Sequence, residues 1–245
     1  MKCLPDWRDD GQRHDYCINT ACHAPEPEKL SRGDCLNASC HVRRTGEEGI
    51  HFHCHACGQC NERRVVLDPH MVWRCADDCE LWHESSGVFV RNPDGRFLFF
   101  WRSIYPAGSL TVPSGHVDRG ETPLQAAIRE LGEEIIAGLP VLSPEDFLPI
   151  ATEDIIGDSC RRGSDAHRWH AFQVVLSSPI RPEKVKVNGE GKHAVLLTLE
   201  VAQAVTLADS KTVDVEALTL EEAQQKALSY PVRYVIERHA ALMQG

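Results

Sequence analysis

From residue 87 onward, the hydrophobic pattern predicts a mixture of short strands and helices. Two apolar runs flank Asn92-Pro93-Asp94-Gly95, a sequence typical of the turn in a β-hairpin. A short strand that ends in a tight turn is expected in LTVPSG, and longer strands in FLPIATEDII and RWHAFQVVL. Terminal helices are expected in TLEEAQQKAL and in PVRYVIERHAALM, which Pro231 would open. The mixture, without a strict βαβ rhythm, predicts an α/β or α+β fold.

Another helix is predicted directly after LTVPSG. Thr122, Pro123 and Gln125 have the spacing of a capping box with proline at the first helical position. The apolar residues that follow recur at the spacing of three, four and seven that a buried helical stripe requires. They are Leu124, Ala127, Ile128, Leu131 and Ile135.

The polar side of this helix is unusually acidic. Glu130 and Glu134 lie one turn apart and Glu133 lies beside them, with Arg129 as the basic residue. Like charges four residues apart destabilise a helix by roughly 0.2–0.5 kcal/mol. A divalent cation such as Mg²⁺ would turn this repulsion into attraction, because it prefers carboxylate oxygens. The pattern therefore indicates either a solvated acidic face or a cation site.

Composition and charge narrow the class of protein. The chain has 245 residues, of which 42% are hydrophobic and 25% charged, and its formal net charge is -10. This charge disfavours general binding to nucleic acid or to anionic membranes. No apolar run approaches the length of a membrane span, and the first residues lack the apolar core of a secretory signal. We therefore expect a cytoplasmic protein that does not bind membranes.

Cysteines divide the chain into two parts. Of 11 cysteines, all but Cys160 lie between Cys3 and Cys79. An odd count without an export signal argues against a disulfide framework, and dense cysteine with histidine argues for a metal. We predict a small zinc-binding domain over residues 1–84 and a second domain over residues 85–245.

Two groups of cysteines are candidate zinc sites. Short predicted strands precede Cys54-x2-Cys57 and Cys75-x3-Cys79, as in a zinc ribbon with four thiolates around Zn²⁺, and Cys60 is a rival for Cys57. Upstream, CINTACH recurs as CLNASCH 18 residues later, which predicts a second zinc with His23 or His41 as alternative ligands. The cysteines of this repeat are Cys17, Cys22, Cys35 and Cys40. One or two structural zinc ions are therefore expected.

The charge of this segment bears on its partner. Residues 1–80 contain ten Lys and Arg against fourteen Asp and Glu, a net charge of -4. Each four-thiolate zinc site adds about -2 more. Nucleic acid stays a possible partner of the zinc domain but is disfavoured, since phosphate binding needs a basic surface. A contact with another protein or a homodimer is at least as well supported.

The acidic helix belongs to a longer motif. Gly115, five residues, Glu121, seven residues, and then Arg129-Glu130-Leu131-x-Glu133-Glu134 resembles the box of the Nudix hydrolase family, and every charged position matches. The sequence departs from the box in two places. Ser114 stands where the family often has glycine, and Ile136 stands at the glycine near the helix end. We therefore expect the helix to continue toward Gly138.

The resemblance implies a fold and a cation site. The fold would be a Nudix-type α/β/α sandwich with a mixed sheet. Glu130 and Glu134 would bind Mg²⁺ (or Mn²⁺) together with the carbonyl of Gly115, Glu133 would be a further ligand or the base, and Arg129 would orient the glutamates. The family often adds a glutamate from a later loop. Glu190 and Glu216 are the two candidates, and Glu190 is favoured.

The resemblance also implies a reaction. Nudix enzymes cleave the pyrophosphate bond of a nucleoside diphosphate linked to another group, such as a dinucleotide, a nucleotide sugar, ADP-ribose or an NTP. Arginines that could hold the phosphates are Arg102 and Arg168, with Arg161 and Arg162 as further candidates. A zinc ribbon before the box is similar to NADH pyrophosphatases, but their SQPWPFPxS array is absent. The alternative function is a non-catalytic Nudix ligand sensor whose zinc domain binds a partner.

Overall fold

The structure is a computed structural model of the chain. It describes residues 10–19, 21–30, 51–61, 63–75, 81–103, 108–198 and 228–244. The chain forms two compact units. The first comprises Met1–His83 and Ser159–Ala166, and the second comprises Glu84–Asp158 and His167–Gly245.

Short antiparallel strands build the first unit. One pair joins β1 to β5, and a three-stranded sheet has the order β2-β3-β4. Among the described residues of this unit, Val65, Leu67 and Leu81 form an apolar cluster. The strands are β1 His14–Tyr16, β2 Glu28–Leu30, β3 His51–His53, β4 Cys60–Asn61, β5 Val65–Leu67 and β6 Trp73–Cys75.

The segment 159–166 belongs to the first unit, although it follows most of the second unit in sequence. The Val66 amide donates to the carbonyl of Arg162 (2.9 Å), and Arg63 forms an ion pair with Asp165 (3.0 Å). The predicted division into 1–84 and 85–245 assigned this segment to the second domain. Its attachment depends on contacts across about a hundred residues of sequence, which no local pattern shows.

A larger sheet with central order β12-β13-β7-β8-β15 forms the second unit, and β10 and β9 add to β7 and β8. Strand β7 begins in the first unit, where it pairs with β6. The predicted hairpin is confirmed, since β7 and β8 pair antiparallel with Arg91 opposite Phe97. The strands are β7 Leu81–Arg91, β8 Phe97–Arg102, β9 Leu110–Thr111, β10 Ser114–His116, β11 Ile135–Ala137, β12 Phe147–Ile156, β13 Ala166–Val175, β14 Lys186–Val187 and β15 Gly191–Leu197.

The sheet is mixed, as predicted. Contacts between β13 and β7 advance in the same direction along both strands, because the Ser86 hydroxyl donates to the His170 carbonyl and the Leu176 amide donates to the Arg91 carbonyl. These two strands are therefore parallel. The neighbouring pair β12 and β13 is antiparallel, since Thr152 meets His170 and Asp154 meets Arg168.

Two helices cover opposite faces of this sheet. Helix α1 (Pro123–Glu134) packs on one face, where Ala127 and Leu131 contact the cluster of Val88, Val90, Leu98 and Phe100. Helix α2 (Tyr230–Gln244) packs on the other, where Val232, Val235 and Ile236 join Phe89, Phe97, Phe99 and Trp169. The α/β/α sandwich is thereby confirmed. The other predicted helix, TLEEAQQKAL, lies outside the described residues except for Leu228.

Within the described residues, neither helix is long and apolar enough to cross a membrane.

The end of α1 differs from the prediction. The capping box at Thr122 is present, but the helix ends at Glu134 and does not continue toward Gly138. Residues Ile135–Ala137 form β11, which pairs antiparallel with Lys186–Val187. Gly138 has a φ of +97°, and a Cβ there would overlap the backbone of Lys184 and Val185. The strand pairing and this close approach end the helix, and neither depends on local sequence alone.

Replacing Gly132 by alanine should stabilise the chain. Gly132 is exposed in the middle of α1, and a Cβ at this position would meet no atom within 4 Å. Glycine in a helix interior costs about 0.8–1.0 kcal/mol relative to alanine. We therefore expect Gly132→Ala to raise the free energy of unfolding by about 1 kcal/mol in urea denaturation. An unchanged or lower value would contradict the geometry of α1.

Candidate active site

Strand β10 and helix α1 bring Gly115 and Glu130 together. Gly115 is held opposite Ser86 by the pairing of β10 with β7. The Glu130 carboxylate lies so close to the Gly115 Cα that any Cβ at position 115 would overlap it. A larger residue at this position would therefore displace the Glu130 carboxylate. The predicted neighbours Gly115 and Glu130 lie together in the structure.

Glu134 lies deeper in the same site. Its side chain is buried, with 6% of the residue exposed, and the Ser114 amide donates to its Oε2 at 2.7 Å. Burial raises the pKa of Glu134 from 4.5 to about 8, and the charges of Glu130 and Glu190 add to the rise. A carboxylate is costly here until a cation compensates its charge.

Glu130 is also poorly solvated. Its side chain is 13% exposed, and burial raises its pKa despite a 2.6 Å hydrogen bond from Arg129 Nη1. The charges of Glu133 and Glu190 contribute to this rise. One buried and one partly buried carboxyl group, both with raised pKa values, therefore lie at one end of α1, where a hard divalent cation would be favoured.

Arg129 is the centre of a network of ion pairs and hydrogen bonds that links helix α1 to His116 and Glu121, which precede the helix. Its Nε and Nη2 donate to the two carboxylate oxygens of Glu121 at 2.8 and 3.0 Å, and Nη2 also donates to the His116 carbonyl at 2.9 Å. Its contact with Glu133 is longer, at 3.3 Å. The Arg129 hydrogen bonds lower the pKa of Glu121, which is therefore held ionised as a partner of Arg129. Arg129, which was predicted to orient the glutamates, thus contacts Glu121, Glu130 and Glu133.

The two remaining predicted acids lie at the rim of the site. The side chain of Glu133 is 59% exposed. Glu190 precedes β15, its carbonyl accepts from the Ser103 amide, and its charge acts on both Glu130 and Glu134. Glu216, the alternative candidate, lies outside the described residues.

Asn188 joins the Glu190 loop to the end of α1. Its side-chain amide donates to the Glu133 carbonyl (3.0 Å), its backbone amide donates to the Glu134 carbonyl (2.9 Å), and its Oδ1 accepts from the Glu190 amide (2.9 Å). The sequence analysis did not identify this residue. The dipeptide Asn188-Gly189 indicates a turn, but its contact with α1 is visible only in the fold.

The predicted phosphate-binding arginines are placed differently from one another. Arg102, at the end of β8, is close enough to Glu134 for its charge to oppose the rise in pKa of that carboxyl. Arg168 instead donates to both carboxylate oxygens of Asp154 on the neighbouring strand, at 2.8 and 3.0 Å. Arg162 forms an ion pair with Asp68 within the first unit. Arg102 is therefore the arginine among these that the fold brings to the carboxylates.

Two histidines adjoin the glycine loop within the second unit. The rings of His116 and His167 lie 5.5 Å apart between centroids. His167 is buried, and its Nδ1 lies 2.9 Å from the Asp158 carbonyl and 3.1 Å from the Asp158 carboxylate. The sequence analysis did not single out these residues, because they are 51 positions apart and belong to no common motif.

The cysteines of the first unit are grouped differently from the prediction. The sulfurs of Cys17 and Cys22 lie with those of Cys54 and Cys57, all within 4.8 Å of one another. The structure thus places Cys54 and Cys57 with Cys17 and Cys22, whereas their predicted grouping with Cys75 and Cys79 stays a prediction. Cys75 ends β6, whereas Cys35, Cys40, His41 and Cys79 lie outside the described residues.

The pH dependence of stability should reveal the buried Glu134 carboxyl. Its pKa is raised in the folded chain to about 8 from an ordinary 4.5, so folding takes up a proton between these values. The contribution of this group to stability therefore falls as pH rises through that window. In buffers freed of divalent cations, we expect Glu134→Gln to be more stable than the parent at about pH 8, with little difference near pH 4.5. Urea denaturation at both pH values measures this; an equal difference at both would contradict it.

Comparison with known proteins identifies the family. Residues 81–238 match the family model described as the NUDIX domain, and the chain belongs to this family. An RNA pyrophosphohydrolase of Aeromonas hydrophila is 46% identical over 75 residues, which are 31% of this chain and 39% of that protein. An uncharacterized Nudix hydrolase, orf19, of Rhodococcus erythropolis is 42% identical over 60 residues, 22% of this chain and 32% of that protein.

These similarities are local. The chain spans about a third of the length of the curated relatives it matches. Among solved structures, the MutT protein from Methanosarcina mazei Go1 is similar over 67% of this chain and 96% of that chain, with 17% identity and a TM-score of 0.45. The assignment of the chain to the family therefore rests on the match of residues 81–238 to the domain model.

Proposed function

We propose that the chain is a Mg²⁺-dependent pyrophosphohydrolase that cleaves the pyrophosphate bond of a nucleoside diphosphate linked to another group. The observation that supports this most directly is the pair of poorly solvated carboxyls, Glu130 and Glu134, with Gly115 packed against Glu130. Oxygen donors of this kind suit Mg²⁺ or Mn²⁺. Burial without a cation opposes their ionisation, so the residues present fit the ion that the family implies.

Each residue then has a part in the chemistry. Glu130 and Glu134 would hold the cation, with Glu190 from the loop before β15 as a further ligand. A bound Mg²⁺ supplies charge neutralisation at the phosphate and acidifies a water molecule. Glu133, which is exposed at the rim, is suited to take the proton of the attacking water. Arg129 keeps Glu130 in place, and Arg102 offers a positive charge to a phosphate oxygen.

The substrate is expected to be a nucleotide of small size. The net charge of -10 disfavours extended contacts with nucleic acid. The Aeromonas relative is nevertheless an RNA pyrophosphohydrolase by name, so 5′-triphosphorylated RNA belongs among the compounds to be tested. The absence of the SQPWPFPxS array argues against specialisation for NADH.

Turnover of a defined panel tests the proposal. The full chain is incubated with Mg²⁺ and NADH, ADP-ribose, dinucleoside polyphosphates, nucleotide sugars, NTPs or 5′-triphosphorylated RNA, beside Glu134→Gln under the same conditions. We expect Mg²⁺-dependent release of two phosphate-bearing products from at least one compound by the parent only. Absence of turnover on every compound, together with tight binding of one, would favour a ligand sensor and contradict the proposal.

A further inference from the structure

Four sulfur atoms of the first unit converge on one point. Cys17 and Cys22 lie in the loop after β1, and Cys54 and Cys57 lie in the loop between β3 and β4. Their sulfurs all lie within 4.8 Å of one another. Cys17 and Cys54 are buried, and Cys22 and Cys57 are partly exposed, so the cluster lies just below the surface.

The spacing of the sulfurs matches tetrahedral coordination. The Sγ atoms of Cys17 and Cys57 are 3.8 Å apart, and those of Cys22 and Cys54 are 3.7 Å apart. Four sulfurs at about 2.3 Å from a central ion are separated by tetrahedral edges of about 3.8 Å. A disulfide would require about 2.05 Å. These two separations fit the edges of a tetrahedral metal site and are too long for disulfides, and the remaining sulfurs lie within 4.8 Å.

Backbone amides around the cluster are arranged to support thiolates. The amides of Asn19, Ala24 and Gln59 donate to the sulfurs of Cys17, Cys22 and Cys57. Gly58 has a φ of +70°, and its amide donates to the Cys54 carbonyl at 2.7 Å, which turns the chain tightly between the two cysteines. Such donors stabilise negative sulfur and orient the ligands of a metal.

We propose that Cys17, Cys22, Cys54 and Cys57 together bind one zinc ion. Four thiolates in a tetrahedron form a closed set, typical of a structural site. The ion would join two loops that are separated by more than 30 residues of sequence. The strands beside these loops are only two or three residues long, so a metal that links the loops would add stability to the first unit.

Cys60, at the start of β4 directly after this loop, provides a matched control. It lies three residues after Cys57 but is not part of the cluster, and its sulfur lies 3.2 Å from His53 Nδ1. In the sequence analysis, Cys60 was a rival for Cys57 as a zinc ligand. From the structure, we expect replacement of Cys57 to remove zinc and replacement of Cys60 to leave the zinc content unchanged.

Metal analysis of purified full-length variants tests the proposal. We expect Cys22→Ser and Cys57→Ser to contain about one zinc fewer per chain than the parent, and Cys60→Ser to keep the parent's content, while Cys75→Ser tests the alternative grouping. Iron is measured in the same samples, since four thiolates also suit iron. Loss of zinc from Cys75→Ser with retention in Cys22→Ser would restore the sequence-based grouping and overturn the proposal. Iron in place of zinc, or a parent without zinc, would overturn it as well.

A measurement on the parent avoids variants that fail to fold. The protein is treated with an alkylating reagent before and after chelation, and the labelled cysteines are located by mass spectrometry. We expect the partly exposed Cys22 and Cys57 to be protected until zinc is removed, and Cys60 to react at a rate that chelation does not change. If Cys22 and Cys57 reacted at the same rate before and after chelation, the result would contradict a zinc site.

Discussion

Glu134→Gln should lower kcat by about 10²–10⁴-fold on whichever nucleotide the parent hydrolyses. The substitution keeps the size of the side chain and an acceptor for the Ser114 amide, but it removes the negative charge that would hold the cation. Stabilisation of transition-state charge by a metal is worth several kcal/mol, and each 1.36 kcal/mol is about tenfold in rate. Steady-state kinetics with saturating Mg²⁺ measure the loss.

Glu145→Gln is a suitable control for this substitution. Glu145 is exposed in a short 3-10 helix, Pro144–Asp146, and belongs to neither the box nor the Glu190 loop. Its replacement changes the net charge by the same amount and should leave kcat unchanged. If the two variants had equal activity, Glu134 could not be a ligand of an essential cation.

Gly115→Ala should reduce activity by about 10²-fold or more. The added Cβ would overlap the Glu130 carboxylate, so either the carboxylate or the strand β10 must move. A displacement of about 1 Å at a reacting centre can cost about 10²-fold in rate. Steady-state kinetics with the nucleotide that the parent hydrolyses measure this loss.

Gly132→Ala makes the same chemical change in the same motif without the overlap. This residue faces open space on α1, so the variant should keep the parent's activity. Equal activity of Gly115→Ala and the parent would show that Glu130 does not need its position beside the loop. If both variants lost the same amount of activity, a disturbance of helix α1, and not the overlap at Gly115, would explain the loss.

Local patterns predicted several elements of the second unit. The Asn92-Pro93-Asp94-Gly95 turn lies between two strands that pair, and the capping box at Thr122 opens α1 as expected. These features depend on residues within a few positions of one another, where turn chemistry and helical periodicity act directly. The box also predicted which carboxylates would meet, because its spacing includes both the loop and the helix.

Features that depend on distant residues were not visible in the sequence. The end of α1 is set by pairing of β11 with Lys186–Val187, so Ile136 in place of glycine did not extend the helix. Asn188 reaches the site through contacts with the carbonyls of Glu133 and Glu134. The same limitation explains the cysteines. A repeat suggested that Cys17 and Cys22 belong together, but spacing alone could not show that their partners are Cys54 and Cys57.

Binding of Mn²⁺ to the carboxylate cluster tests the central claim most directly. Mn²⁺ suits oxygen ligands and not four thiolates, so its electron paramagnetic resonance signal reports on Glu130 and Glu134 without interference from the cysteines. We predict that the parent binds Mn²⁺, that Mg²⁺ competes for the site, and that Glu134→Gln weakens the affinity by about tenfold or more. Equal Mn²⁺ affinity in the parent and in Glu134→Gln would contradict a cation site at this end of α1.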